Sequence, residues 1–159
     1  MITQLLPDQI SKLWDIIKYA VEQSMPPVAG DHPDRMNRIL SSMLSGKTQC
    51  WVSYEKKEEG SELNAIILTK ILYDDTSHTK SLLLYSVYGY GRIDQKFWME
   101  GFAFMSKYAK SHGCTYLSAY TEVPYLIEMA KMYEAGTSYT YITFDISKSV
   151  QILNKLGGE

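Results

Sequence analysis

Gly89, Gly91 and Arg92 follow an apolar run and precede a helical pattern. At a strand–turn–helix junction, such a turn offers backbone N–H groups and a helix N-terminus to an anion. The small residues let a phosphate approach the backbone, and Arg92 would add positive charge. The same residues also suit an ordinary strand-to-helix turn with a surface arginine. A dinucleotide fingerprint does not fit, because the third glycine is absent and three strands in series precede the turn. The other group with chemical potential is the phenol of Tyr133, in Lys131-Met132-Tyr133-Glu134-Ala135-Gly136 near a helix end. A phenol there either packs with its hydroxyl at the surface or donates a proton into a cleft. Glu122 is either a base or an exposed loop carboxylate.

Little else in the chain points to chemistry. His32, His78 and His112 fall in expected loops or helix ends, and none pairs with another at metal-ligand spacing. Each reads as solvated, and no metal site is expected. Cys50 and Cys114 lie in or beside expected strands and read as structural thiols. They lack CxxC spacing, which fits a reducing compartment and a cytoplasmic location. No nucleophile-elbow G-x-S-x-G occurs. The formal net charge of -2 leaves no basic footprint for nucleic acid. The N-terminus lacks the pattern of a signal peptide, and no apolar run is long enough to cross a bilayer, so no membrane partner is expected.

These residues must be positioned by the elements around them. The chain of 159 residues, 45% hydrophobic and 21% charged, suits one soluble domain with a real core. Asp8 is an expected N-cap for a helix whose face carries Ile10, Leu13, Trp14, Ile17, Ala20 and Val21, ended by Pro26-Pro27. A second helix follows Pro33, with Met36, Ile39, Leu40, Met43 and Leu44 in its stripe and Gly46 at its close. The connection between the two helices reads as a plain loop.

Residues 49–55 and 63–73 read as strands joined by a charged turn, an antiparallel hairpin. After a polar turn at 74–79, Leu82 to Tyr88 reads as a buried central strand. Gln95 to Ser111 carries Phe97, Trp98, Phe102, Met105, Tyr108 and Ala109 at helical spacing, stopped at His112-Gly113. Residues 115–120 form another expected strand, 124–134 a helix stopped by Gly136, and 138–146 a final strand. Residues 147–159 are either a short amphipathic helix or a loose tail. A strand–helix–strand unit implies a parallel pair, and the series before it implies an antiparallel meander. A mixed α/β sheet with helices on both faces follows.

This element order resembles the GNAT superfamily of N-acetyltransferases, and within it small divergent GNAT-like proteins of phage and prophage origin. The likeness is carried by residues 44–52, by Tyr88-Gly89-Tyr90-Gly91, by Tyr108 to Cys114 and by Met132-Tyr133-Glu134-Ala135-Gly136. It implies one GNAT-like domain over 1–159, with a core at 5–146 and a tail at 147–159. Its sheet would have five to six strands, mostly antiparallel with one splayed parallel pair. It implies acetyl-CoA as cofactor, with the pantetheine along Tyr85, Ser86, Val87 and Tyr88. The phosphates would then lie on the turn from Gly89, Tyr90, Gly91 and Arg92 to Asp94. Tyr133 matches the family's proton donor to the departing thiolate.

The activity implied is transfer of an acyl group by direct attack of an amine on the thioester. The acceptor would be a small molecule or a protein amine, and the chain would act alone or as a homodimer. The chain departs from the family turn, Gln/Arg-x-x-Gly-x-Gly/Ala, in having Ser86 at its first position. It also has Asp94 near the helix start, where a carboxylate competes with phosphate. A GNAT-like binding or assembly module without catalysis is the alternative reading.

Overall fold

The computed structural model describes residues 1–92 and 94–158; Ile93, within the expected phosphate turn, lies outside the described residues. Those residues form two compact units, one from Met1 to Tyr120 and one that begins at Thr121.

In the first unit, β1 (Ile2–Gln4) leads into α1 (Pro7–Lys12) and α2 (Trp14–Gln23), and α3 (Arg35–Leu44) follows. Then come β2 (Gln49–Lys57), β3 (Gly60–Asp74), β4 (Thr79–Gly89), α4 (Gln95–Ser111) and β5 (Tyr116–Ala119). The sheet order is β1-β2-β3-β4-β5, antiparallel except for the β4–β5 pair. This is the expected mixed sheet, with β1 added at the edge. The three-residue β1 is too short for its alternation to be seen in sequence. The expected first helix is two helices, broken at Leu13. Its start also differs: Pro7 takes the first helical position, and Gln9 Oε1 accepts the Leu6 N–H at 2.8 Å, so Asp8 lies inside the first turn.

The hairpin strands run further than their apolar residues suggest. Lys57 pairs with Gly60, leaving Glu58 and Glu59 as a two-residue turn, and Gly60 has φ +118°. Backbone pairing with an existing neighbour extends a strand through charged residues that would not start one.

Helices cover both faces. On one, α1, α2 and α3 pack Ile10, Ile17, Val21, Ile39 and Met43 over Cys50, Ile66 and Leu68. On the other, α4 lays Met105 and Ala109 over Trp51, Ile67 and Leu82. Trp51 fixes this second layer. Its ring meets Phe104 and Tyr108 edge-on at 5.5 and 4.8 Å, and its Nε1–H donates to Thr69 Oγ1 at 2.9 Å. The Thr69 hydroxyl in turn donates to Gln49 Oε1 at 3.0 Å. Buried polar groups are thereby satisfied while the aromatic contacts add geometric specificity.

The second unit holds α5 (Pro124–Met132) and α6 (Ile146–Leu156). The expected strand at 138–146 is not formed; residues 137–145 carry neither helix nor strand, although Ile142, Phe144 and Ile146 recur at every second position and are exposed. Alternation suits a strand, but a strand exists only where a partner supplies ladder hydrogen bonds. The tail is the amphipathic helix of the two alternatives, started by Asp145, whose side chain accepts the Lys148 N–H at 3.0 Å. The α5 helix stops earlier than Gly136: Tyr133 is its C-cap and Glu134 takes a left-handed φ of 60°.

Candidate functional site: an open edge of the sheet

Strand β4 runs for eleven residues, but only Ser81 to Leu84 pair with β5. The parallel ladder ends at Leu84↔Ala119. On its other side, β4 stays paired with β3 through Gly89, and there the register shifts between Leu68↔Ser86 and Thr69↔Leu84. Tyr85 is therefore the extra residue of a bulge, at the point where β5 stops. A bulge bends and twists its strand, and such irregularities recur beside functional sites.

The bulge also decides which way the side chains face. Leu84 and Val87 pack on the α4 side, while Tyr85, Tyr88 and Tyr90 pack with the α1–α3 layer. Ser86 joins that layer too, its Oγ 2.6 Å from Ser24 Oγ of the segment after α2.

Backbone alternation then sorts the expected cofactor-binding residues. The Tyr90 N–H donates to the Asn64 carbonyl at 2.8 Å, so Tyr90 turns its backbone groups toward β3. Two-residue alternation turns Tyr88 and Ser86 the same way, and Val87 and Gly89 the opposite way, to the edge with no strand partner among the described residues. Of Tyr85, Ser86, Val87, Tyr88, Gly89 and Tyr90, only Val87 and Gly89 in the regular segment after the bulge offer N–H and C=O groups to that edge. The others contribute side chains or the bulge.

The turn after β4 has mixed properties. Gly91 holds φ +79°, a conformation that L side chains rarely adopt, and an added Cβ there would meet nothing within 4 Å. The glycine is set by backbone conformation, and space is open above it. Arg92 is exposed. At the start of α4, however, Asp94 Oδ1 accepts the Phe97 N–H at 2.8 Å. One first-turn amide that would face an anion is thus already taken by a carboxylate.

Three tyrosines crowd the end of β4. Tyr88 meets Tyr90 edge-on at 5.0 Å and Tyr19 at 5.9 Å. A hydrogen bond with Tyr19, then desolvation, then the neighbouring phenols raise the Tyr88 hydroxyl above its ordinary range. Desolvation followed by Tyr19 raises Tyr90 likewise, so both remain protonated donors at neutral pH. Tyr19, Leu63 and Tyr90 border a shallow groove with Asp15 and Ile16.

A second hollow, about 260 Å³, lies on the α1–α3 face against the bulge, and its walls include His32, Arg35, Arg38, Ser42, Lys70 and Tyr85. Arg35, Arg38 and Ser42 stand at i, i+3 and i+7 on α3, one face of the helix. In sequence the apolar stripe beside them is the visible feature, and the loop before them reads as plain. The i, i+3 arginine pair was visible in sequence; its meeting with Lys70 of β3 and Tyr85 of β4 was not. Desolvation raises the Tyr85 hydroxyl, and the Arg35 charge partly offsets that.

Cys50, His78, His112, Glu122 and Tyr133 line neither hollow. Burial pushes the Cys50 thiol up to about 12, so it stays protonated and inert at neutral pH. His78 Nδ1 lies 2.6 Å from the Tyr73 hydroxyl, and His112 stacks on Tyr108 at 4.1 Å. Glu122 is exposed in the segment before α5. In the second unit, Tyr133 caps α5, its N–H donating to the Ala130 carbonyl at 3.0 Å, with its side chain 40% exposed. No helix among the described residues is long and apolar enough to cross a membrane.

By sequence, no family model and no curated protein matches the chain. Solved structures do match by shape. A predicted acetyltransferase with acetyl-CoA from Clostridium acetobutylicum superposes with a TM-score of 0.66 at 11% identity, covering 93% of this chain and 97% of that one. The chain has the GNAT fold. An aminoglycoside acetyltransferase from an uncultured soil metagenomic sample, in complex with sisomicin, gives 0.63 at 12% identity over 91% of this chain and 93% of its own. Ribosomal-protein-alanine N-acetyltransferase from Brucella melitensis biovar Abortus 2308 gives 0.62 at 8% identity, over 91% and 99%. At such identities the likeness establishes the GNAT fold and leaves activity to be argued from the site.

Proposed function

We propose that the chain is an acetyl-CoA-dependent N-acyltransferase that works by direct attack of an amine on the thioester. The observation that carries this reading is the end of β5 beside Leu84, with β4 continuing to Gly89 and its far edge open there. Val87 and Gly89 there can accept and donate hydrogen bonds to an amide-bearing chain laid along them as an added strand, the mode by which sheet edges take extended ligands. The residues suit the pantetheine of acetyl-CoA, which carries two amides. They suit the phosphates less well, since Gly91 leaves room but Asp94 occupies the Phe97 amide.

When bound, acetyl-CoA supplies an activated acyl group, and no covalent enzyme intermediate is needed. The chain's own part is positioning. The unpaired β4 edge orients the donor and polarises its carbonyl with a backbone N–H. Tyr133, the C-cap of α5, is the proton donor to the departing thiolate, a role that a phenol at a helix end can serve. A second reading, a GNAT-like module that binds without catalysis, is favoured by the Asp94 carboxylate on α4.

Thermal unfolding with acetyl-CoA separates the two. A ligand at a hundredfold its dissociation constant stabilises by about 2.7 kcal/mol. The expected result is a saturable rise in Tm with acetyl-CoA. An unchanged Tm at millimolar acetyl-CoA would favour the module without catalysis.

A further inference from the structure

The hollow beneath the bulge is walled largely by cationic and hydroxyl side chains. Arg35, Arg38 and Lys70 bring three cationic side chains to its walls, and among the described residues no carboxylate lines it. Among the described residues none of the three forms an ion pair with an acidic side chain. Like charges around one hollow repel, and an anion relieves that repulsion.

A second observation concerns His32. Its Nδ1 accepts the Asp34 N–H at 3.0 Å, so the neutral ring carries its proton on Nε2. That Nε2 lies 3.3 Å from Arg38 Nη2, which is also a donor. In that tautomer both groups are donors, and an oxyanion beside them would accept from both. Arg35 meanwhile donates Nη1 to the Gly30 carbonyl, which ties the loop to α3. The Ser42 and Thr48 hydroxyls are hydrogen-bonded to each other at 2.7 Å, which leaves one O–H of the pair as a neutral donor at the same wall.

The position gives the anion a purpose. Tyr85 places its side chain in the hollow and its backbone at the bulge, where β5 pairing has ended. A small molecule anchored in the hollow by an anionic group therefore reaches toward the start of the open edge. A hollow of about 260 Å³ accommodates a phosphoryl group with a few carbons. Three positive charges favour a dianion over a single carboxylate.

We propose that this hollow is the acceptor site and that the acceptor is a small amine carrying a phosphoryl group, recognised by Arg35, Arg38, Lys70 and His32. The assignment rests on the acyl-transfer reading, and the experiment keeps the two apart. Inorganic phosphate is titrated into the full chain at constant ionic strength, with binding read by calorimetry. Phosphate should bind saturably and acetate at least about tenfold more weakly. Arg38→Gln and Lys70→Gln, both at exposed side chains, should keep the wild-type Tm and each weaken phosphate about tenfold, the scale of one charge-assisted hydrogen bond. Acetyl-CoA affinity should be unchanged in both variants, and saturating acetyl-CoA should leave phosphate binding intact.

Equal phosphate binding by wild type and variants overturns the site, and equal binding of acetate overturns the phosphoryl assignment. Competition between acetyl-CoA and phosphate overturns it too, because the hollow would then hold the cofactor's own phosphates. Phosphate binding without any acetyl-CoA binding retains the anion site, removes the acyl-transfer reading and overturns the acceptor role.

Discussion

Asp94 Oδ1 holds the Phe97 backbone N–H at 2.8 Å, and this one bond sets helix stability against anion binding at the start of α4. An acidic N-cap satisfies an orphan amide and complements the positive helix end. A phosphate approaching the turn after Gly91 would seek the same amide and the same field.

Asp94→Ala should therefore act in two directions. It should lower stability by about 1 kcal/mol through loss of the cap. It should tighten acetyl-CoA several-fold, because a negative charge leaves and the Phe97 amide is released. Asp94→Asn should keep most of the stability, since asparagine caps as well, while removing the charge. Denaturant unfolding and calorimetric titration of both variants measure the two effects. Unchanged acetyl-CoA affinity in both would place the phosphates away from α4.

Tyr133→Phe keeps the ring and removes only the hydroxyl. If the phenol protonates the leaving thiolate, turnover should fall by roughly 10²–10⁴, the scale of general acid–base catalysis, with acetyl-CoA affinity little changed. Free-thiol release across a panel of amines, phosphorylated ones included, provides the assay. Full turnover by the variant would remove Tyr133 from the mechanism and leave the thiolate to depart by solvation.

Cys50 makes the fold sensitive to alkali. Burial raises its thiol from 9.0 to about 12. Below pH 9 both folded and unfolded chains keep the proton, and the thiol leaves stability unchanged. Between pH 9 and about 12 the unfolded chain releases a proton that the folded chain retains, so stability falls as pH rises. The full loss is on the order of 4 kcal/mol, from about 1.4 kcal/mol per pH unit. Wild type and Cys50→Ala, compared by denaturant unfolding across this range, should converge as pH rises. A stability difference independent of pH would mean that the thiol is not held in its neutral form.

The sequence by itself determined the local elements whose apolar residues repeat at a fixed period. The stripes on α2, α3 and α4 and the runs in β2, β3 and β4 predict their types because each buries one face whatever its neighbours are. The left-handed residues Gly46 and Gly113 likewise mark helix ends locally. The strand expected at 138–146 shows the boundary of this reasoning: period two chooses the faces of a strand, and only a neighbour with free backbone groups creates one.

The candidate site lay beyond that boundary. Nothing in Leu84-Tyr85-Ser86 announces that β5 ends beside Leu84 or that Tyr85 is a bulge, because both are properties of pairing between strands. Which amides face the open edge follows from that pairing, so Val87 and Gly89 could not be separated from Ser86 and Tyr88 in the sequence. Arg35 and Arg38 share a helix face by spacing alone, but Lys70 is more than thirty residues away in the chain and reaches the same hollow only because β3 passes beneath α3. Local periodicity records what each segment must bury; long-range pairing decides which charges and which unpaired backbone groups end up side by side.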